Sequence, residues 1–206
     1  MLSRRSGELS PGSATTAVNR LARLSGGLLM ALLVLCAASA AQGVSASAAS
    51  SAGLKVQDRS HDNDNPDTQL YGDFQILNTG TTSVPLSSLT MRYWFTNETP
   101  TDPLVSSCDY AQVSCGNITT RFVALATPVA GKANAYIEYD FTAAAGSIAA
   151  GGSGGEIQAR VHHAAYSNFN TAESYSFVFD PSFVFKDTQT VTLYQNGALI
   201  WGVEPK

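Results

Sequence analysis

The segment GEIQARVHHAAYSNFN, residues 155–170, concentrates the side chains best suited to chemistry in this chain. It holds Arg160, the adjacent pair His162 and His163, and Tyr166. Two neighbouring histidines first suggest a metal or acid–base centre. A strand reading removes that option. With a period of two, Glu156, Gln158, Arg160 and His162 share one face, and Ile157, Ala159 and Val161 share the other. The second set is small and apolar and belongs against a core. His162 and His163 then point in opposite directions and cannot together grip one ion. His61 is the only other histidine and has no fixed place relative to them. Both are read as partly exposed residues at a strand end. Gln158 and Arg160 are left facing outward on the same side, roughly 7 Å apart.

Hydrolytic chemistry finds less support. A glycosidase needs two carboxyls flanking a substrate cleft, and no pair here is singled out by its spacing. The glycine-rich AAGSIAAGGSGGE lacks the lysine and the strand-to-helix setting of a phosphate cradle, so it reads as a flexible turn between strands. Cys108 and Cys115 would close a small loop as a disulfide in an exported protein. Half of a zinc site is the alternative, but the third cysteine, Cys36, belongs to the apolar N-terminal segment read below as a leader, and no nearby histidine completes the site.

Strands must position these groups, and the pattern supplies them. LTMRYWF places Met91, Tyr93 and Phe95 on one face and Arg92 and Trp94 on the other. AYIEYDF sets Ile137, Tyr139 and Phe141 against Tyr136, Glu138 and Asp140. VTLYQNGALIW carries two β-type runs around Asn196-Gly197, a strong hairpin signal. No stretch of ten or more residues keeps a helical period with caps. Six to nine short strands separated by Gly, Pro, Ser and Asn argue for an all-β sandwich.

The first residues belong to something else. Arg20 and Arg23 precede a short apolar run and small residues at Ala38–Ala40, the three parts of a secretory signal. Residues 1–41 are therefore read as a leader, with a retained membrane anchor as the alternative. Residues 42–53 form a Ser/Ala-rich spacer, and residues 54–206 form one domain. The chain has a formal net charge of −4, and Arg4, Arg5, Arg20 and Arg23 against Glu8 lie in the leader. What remains is more acidic still. Such a surface has no electrostatic footprint for nucleic acid or anionic lipid and suits a neutral partner.

Tyr110 follows Asp109 beside the cysteine loop, and Tyr166 follows the Gln158/Arg160 strand. Tyrosine offers a rigid flat face with a polar tip, suited to stacking on a sugar ring. Asp109 and Arg160 can pair as a planar bidentate tile, and Gln158 can both donate to and accept from hydroxyls. On the residues alone, a binding plane and an ordinary surface of tyrosines with a salt bridge are equal readings.

The blocks LKVQ, FQILNTGTTSVPLSSLTMRYWFT, CDYAQVSC, GEIQARVHHAAYSNFN and VTLYQNGALIWGVEP, in this order, resemble the family 3 carbohydrate-binding modules of bacterial cellulases and cellulosome scaffolds. The likeness runs from about Leu54 to Pro205. It implies a nine-stranded antiparallel β-sandwich with jelly-roll topology and no catalytic role, the whole of residues 54–206 being a cellulose-binding module. The resemblance also implies a flat binding strip at Asp109, Tyr110, Arg160 and Tyr166, with Gln158 as a neighbouring polar anchor. Tyr166 stands where many members carry tryptophan, and the loop after Cys108 is short, so a preference for amorphous cellulose or a related β-glucan such as chitin stays open. One structural calcium is implied, with oxygen ligands from Thr96, Glu98, Asn170 and Glu173 and a further position at Ser174. The expected protein is a secreted monomer whose partner is cellulose. A small secreted enzyme, an expansin-like wall-loosening protein and a protein-binding surface protein remain the alternatives.

Overall fold

A computed structural model describes residues 53–206 of the chain. The leader 1–41, and the spacer 42–53 apart from its last residue, lie outside the described residues. LKVQDR alternates buried and half-buried positions and forms β1 (Leu54–Arg59). The other strands follow as β2 (Gln69–Asn78), β3 (Val84–Pro85), β4 (Leu89–Phe95), β5 (Leu104–Ala111), β6 (Ile118–Val129), β7 (Ala133–Phe141), β8 (Ser147–Ile148), β9 (Ser153–His163), β10 (Lys186–Asp187), β11 (Val191–Gln195) and β12 (Ala198–Trp201). Nine of these strands have four residues or more, while β3, β8 and β10 have two each. The only helical turns among the described residues are short 3₁₀ segments.

Every pairing is antiparallel. The first sheet runs β10-β1-β2-β9-β5 and the second β12-β11-β4-β7-β6, with β3 and β8 pairing separately. The chain crosses repeatedly between the two sheets, as a jelly roll requires. Period-two alternation sends Leu70, Phe74, Ile157, Ala159 and Val161 of the first sheet inward to meet Met91, Tyr93, Phe95, Ile137, Tyr139 and Phe141 of the second. The inward sets read from LTMRYWF, AYIEYDF and the segment at 155–163 therefore form one core. Asn196 and Gly197 both take left-handed backbone between β11 and β12, as the hairpin signal requires.

Two expectations need correction, and one residue keeps its expected face in an unexpected environment. The glycine-rich stretch is not simply a flexible turn. It contains β8, and β9 already begins at Ser153. Gly155 has φ 81, and the Gln112 side chain occupies the space a Cβ would fill, so glycine is required there. Trp94 points outward from the second sheet as expected, yet it is buried. Tyr136 packs on it at 4.7 Å between ring centroids, and its Nε1 donates to Thr192 Oγ1 at 2.9 Å. The second correction concerns the two histidines. His163 is not partly exposed but fully buried, at 0 % exposure. It stacks on Phe169, with Nδ1 3.0 Å from the Ser167 carbonyl and Nε2 2.9 Å from Asn97 Oδ1.

Candidate functional site

Strand β9 is the spine of the outer face of the first sheet. Glu156, Gln158, Arg160 and His162 all face outward along it, and register sets their neighbours. Tyr71 of β2 and Ser107 of β5 lie opposite Arg160, Gln69 lies opposite His162, and Tyr110 lies opposite Gln158. An irregularity in β5 between Cys108 and Tyr110 adds Asp109 as an extra residue. A bulge of this kind re-aims side chains at a sheet edge. It allows Asp109 and Tyr110 both to be exposed, and Asp109 Oδ1 to lie 3.1 Å from Arg160 Nε. The Cys108–Cys115 disulfide closes the loop directly behind them, with the two Cα atoms 5.7 Å apart. The half-zinc alternative is thereby excluded.

The Asp109–Arg160 pair differs from the expected fork. No hydrogen bond joins them: the approach lies off the Nε–H direction, and Nε makes no hydrogen bond. The attraction is Coulombic rather than bidentate, and it leaves Nη1 free to donate to Gln69 Oε1 at 3.0 Å. Gln158 donates from Nε2 to Glu156 Oε1 at 2.7 Å, and the same carboxylate receives Arg59. The face is thus cross-linked side chain to side chain, which limits the entropy lost when a flat partner lands on it.

Tyr110 and Tyr166 are the outermost rings, 49 % and 53 % exposed. Tyr166 sits at φ 57, a left-handed backbone that costs a bulky residue about 1 kcal/mol. Its turn is held by Asp102, whose carboxylate accepts the Ala165 N–H at 3.1 Å and the Ser167 hydroxyl at 2.8 Å. Desolvation opposes that charge, but the bonds from Ser167 and Ala165 win and hold the Asp102 carboxyl below the usual range. The Tyr166 ring then rests on His162, with 4.4 Å between centroids and 5° between planes. His162 Nδ1 is fixed in turn by donating to the His163 carbonyl at 2.8 Å.

Sequence reasoning assigned no role to three members of this face. His162 is the platform beneath Tyr166 rather than a bystander. Tyr71 and His61 form a second parallel stack, 4.2 Å apart and 10° between planes, beside Arg160. The alternation of Gln69, Tyr71 and Gln75 in β2 was the available signal for Tyr71. His61 could not be placed before β1 was paired with β2. Burial, and secondarily Asp67 and Asp62, raise the Tyr71 phenol, so it stays protonated while it accepts from Gln69 Nε2 at 2.8 Å.

A family model described as "Cellulose binding domain" matches residues 55–202. The chain belongs to that family, the family 3 carbohydrate-binding modules. The module is 41 % identical over 153 residues to "Endoglucanase A" of Paenibacillus lautus, covering 74 % of this chain but 21 % of that enzyme. It is 39 % identical over 150 residues to "Uncharacterized protein in celA 5'region" of the same organism, covering 73 % of this chain and 100 % of that protein. Among solved structures it resembles the CBM3b of the scaffoldin subunit ScaA from Acetivibrio cellulolyticus, with TM-score 0.69 and 32 % identity over 74 % of this chain and 97 % of that one. The catalytic relatives are matched only over a module-sized part of their length.

The residues expected to bind calcium converge in the module. Thr96 and Glu98 follow β4, and Asn170, Glu173 and Ser174 surround the 3₁₀ turn after β9. Glu98 Oε1 accepts the Asn170 N–H at 3.0 Å, and Thr96 Oγ1 donates to the Glu173 carbonyl at 2.7 Å. Ser174 Oγ lies 3.4 Å from the Thr96 N–H. Burial raises the Glu98 carboxyl, the Asn170 N–H lowers it, and the charge of Glu173 raises it again. Among the described residues no three His, Cys, Asp or Glu side chains gather around one point. Hydroxyls, carbonyls and two carboxyls are nonetheless the oxygen donors that calcium takes.

Proposed function

We propose that this chain is a secreted, non-catalytic module that binds cellulose or a closely related β-glucan through the outer face of its first sheet. Tyr110 and Tyr166 stack on the apolar faces of sugar rings. Asp109, Arg160 and Gln158 supply flat polar groups between them for hydroxyls. No bond is broken. The observation that carries the reading is the gathering of Asp109, Tyr110, Gln158, Arg160 and Tyr166 on one outward face, with both tyrosines about half exposed. Stacking of this type contributes about 1 kcal/mol per ring, so the two rings and the polar groups must act together to give useful affinity.

Calcium belongs to the same proposal. Thr96, Glu98, Asn170, Glu173 and Ser174 would hold it, and its charge would relieve the repulsion between Glu98 and Glu173 while tying the segment after β9 to the end of β4. The full chain incubated with microcrystalline and with amorphous cellulose, then sedimented, tests the binding itself. Depletion from the supernatant without release of reducing sugar supports the proposal. Reducing-sugar release points to the enzyme alternative, and no depletion on either material overturns cellulose binding.

A further inference from the structure

Tyr110 and Tyr166 mark a line along β9. Tyr110 sits opposite Gln158 from β5, and Tyr166 rests on His162 near the end of the strand. A third ring pair lies off that line. Tyr71 belongs to β2, on the other side of β9 from β5, and its register partner is Arg160. Two strand spacings separate β2 from β5, roughly 10 Å. The ring of His61 covers that of Tyr71, with 4.2 Å between centroids and 10° between planes.

The two stacks on this face are built in opposite order. In one, a histidine supports an exposed tyrosine; in the other, a half-buried tyrosine supports an exposed histidine. The His61 side chain is 44 % exposed although one face of its ring is spent on Tyr71. Among the described residues no second ring stacks on it. Its position is held from below. His61 Nδ1 donates to Asp73 Oδ2 at 3.3 Å, and that buried carboxylate also receives Arg59 Nε at 3.0 Å. Gln69 donates to the Tyr71 hydroxyl and accepts from Arg160 Nη1, which ties the stack to the centre of the face.

A flat ring with one face backed and the rest open to solvent is suited to stacking on a sugar ring. The nitrogen at its free edge, Nε2, can serve a sugar hydroxyl. A single polysaccharide chain is a line, however. One that passes over Tyr110 and Tyr166 follows β9 and leaves His61 to its side. The ring is placed for a second chain.

We propose that His61, backed by Tyr71, is a further sugar-contacting ring, and that it engages a chain lying beside the one under Tyr110 and Tyr166. The inference rests on the reading of this face as a cellulose-binding surface and adds to it a preference for chains packed side by side. Adsorption isotherms of the full chain on microcrystalline and amorphous cellulose test it, with His61→Ala and His61→Phe. His61→Ala should lose about threefold to tenfold in affinity for microcrystalline cellulose, and less for amorphous cellulose, whose chains are not regularly packed. His61→Phe keeps a flat ring without the bond to Asp73 and should recover most of the affinity. An equally weak His61→Phe would assign the effect to the Asp73 bond and overturn the proposal. So would a His61→Ala isotherm identical to that of the unsubstituted chain, or the same fold loss on both materials. If the unsubstituted chain adsorbs to neither material, the cellulose-binding reading itself fails, and the role of His61 with it.

Discussion

The ring of Tyr166 lies parallel to that of His162, with 4.4 Å between their centroids and 5° between their planes. Tyr166 therefore meets a partner already backed by a second ring, which keeps its flat face level with the sheet. Removing the support should cost binding without removing the stacking residue. His162→Ala should weaken retention on cellulose by about threefold to tenfold, in line with the roughly 0.5–1.5 kcal/mol of an aromatic pair. A binding isotherm that matches the unsubstituted chain would remove His162 from the face.

Arg160 and Asp109 form a partly exposed ion pair without a hydrogen bond between them. Exposed pairs of this kind contribute about 0–1 kcal/mol to stability. Arg160→Ala should therefore leave Tm nearly unchanged and reduce cellulose affinity at least fivefold, because the planar guanidinium and its bond to Gln69 are lost together. A large fall in Tm would show that the residue serves the fold instead.

Asp58 is buried beneath the first sheet, and its Oδ1 makes no hydrogen bond. Burial first, and the charge of Asp73 second, raise its carboxyl well above the ordinary value, against the backbone N–H groups of Arg59 and Asp73. Its folded-state pKa thus exceeds the unfolded one. The penalty is absent below the unfolded pKa and grows as pH rises through the interval between the two. Asp58→Asn should raise Tm by a few degrees at neutral pH and flatten its decline above about pH 4. Thermal unfolding followed from pH 3 to pH 8 reads both effects. Equal destabilisation across that range would assign the carboxylate a structural bond instead.

Glu98 and Glu173 repel each other across the segment that Asn170 ties to Glu98. Calcium should raise Tm of the chain, by an amount that grows with concentration, and a chelator should reverse it. Glu98→Gln combined with Glu173→Gln should abolish the calcium response while raising the metal-free Tm, since the repulsion is gone. A calcium response that persists in the double variant would place the ion elsewhere.

How far the sequence reaches depends on the range of the interaction. Alternation in LTMRYWF, AYIEYDF and QARVHH is local, and it identified the core faces and the outward line Gln158–Arg160 before any pairing was known. The Asn196-Gly197 turn was equally local. The stack of His61 on Tyr71 was not, because it depends on β1 running beside β2 in a register that no local pattern specifies. The burial of His163 is non-local for the same reason. Its burial comes from Asn97 and Phe169, contributed by two other segments. Trp94 shows the limit of reading faces as buried or exposed. An outward position became buried because Tyr136 of the neighbouring strand covers it. The irregularity that sets Asp109 beside Arg160 in β5 is likewise something spacing alone does not reveal.

The most direct measurement is the adsorption isotherm of the full chain on microcrystalline cellulose, compared with Tyr110→Ala, Tyr166→Ala and the double variant. Both tyrosines are about half exposed, so their removal should leave the thermal unfolding transition in place. Each single variant should lose about fivefold in affinity, and the double variant should lose retention altogether. Retention of the folded double variant equal to that of the unsubstituted chain would contradict the assignment of this face.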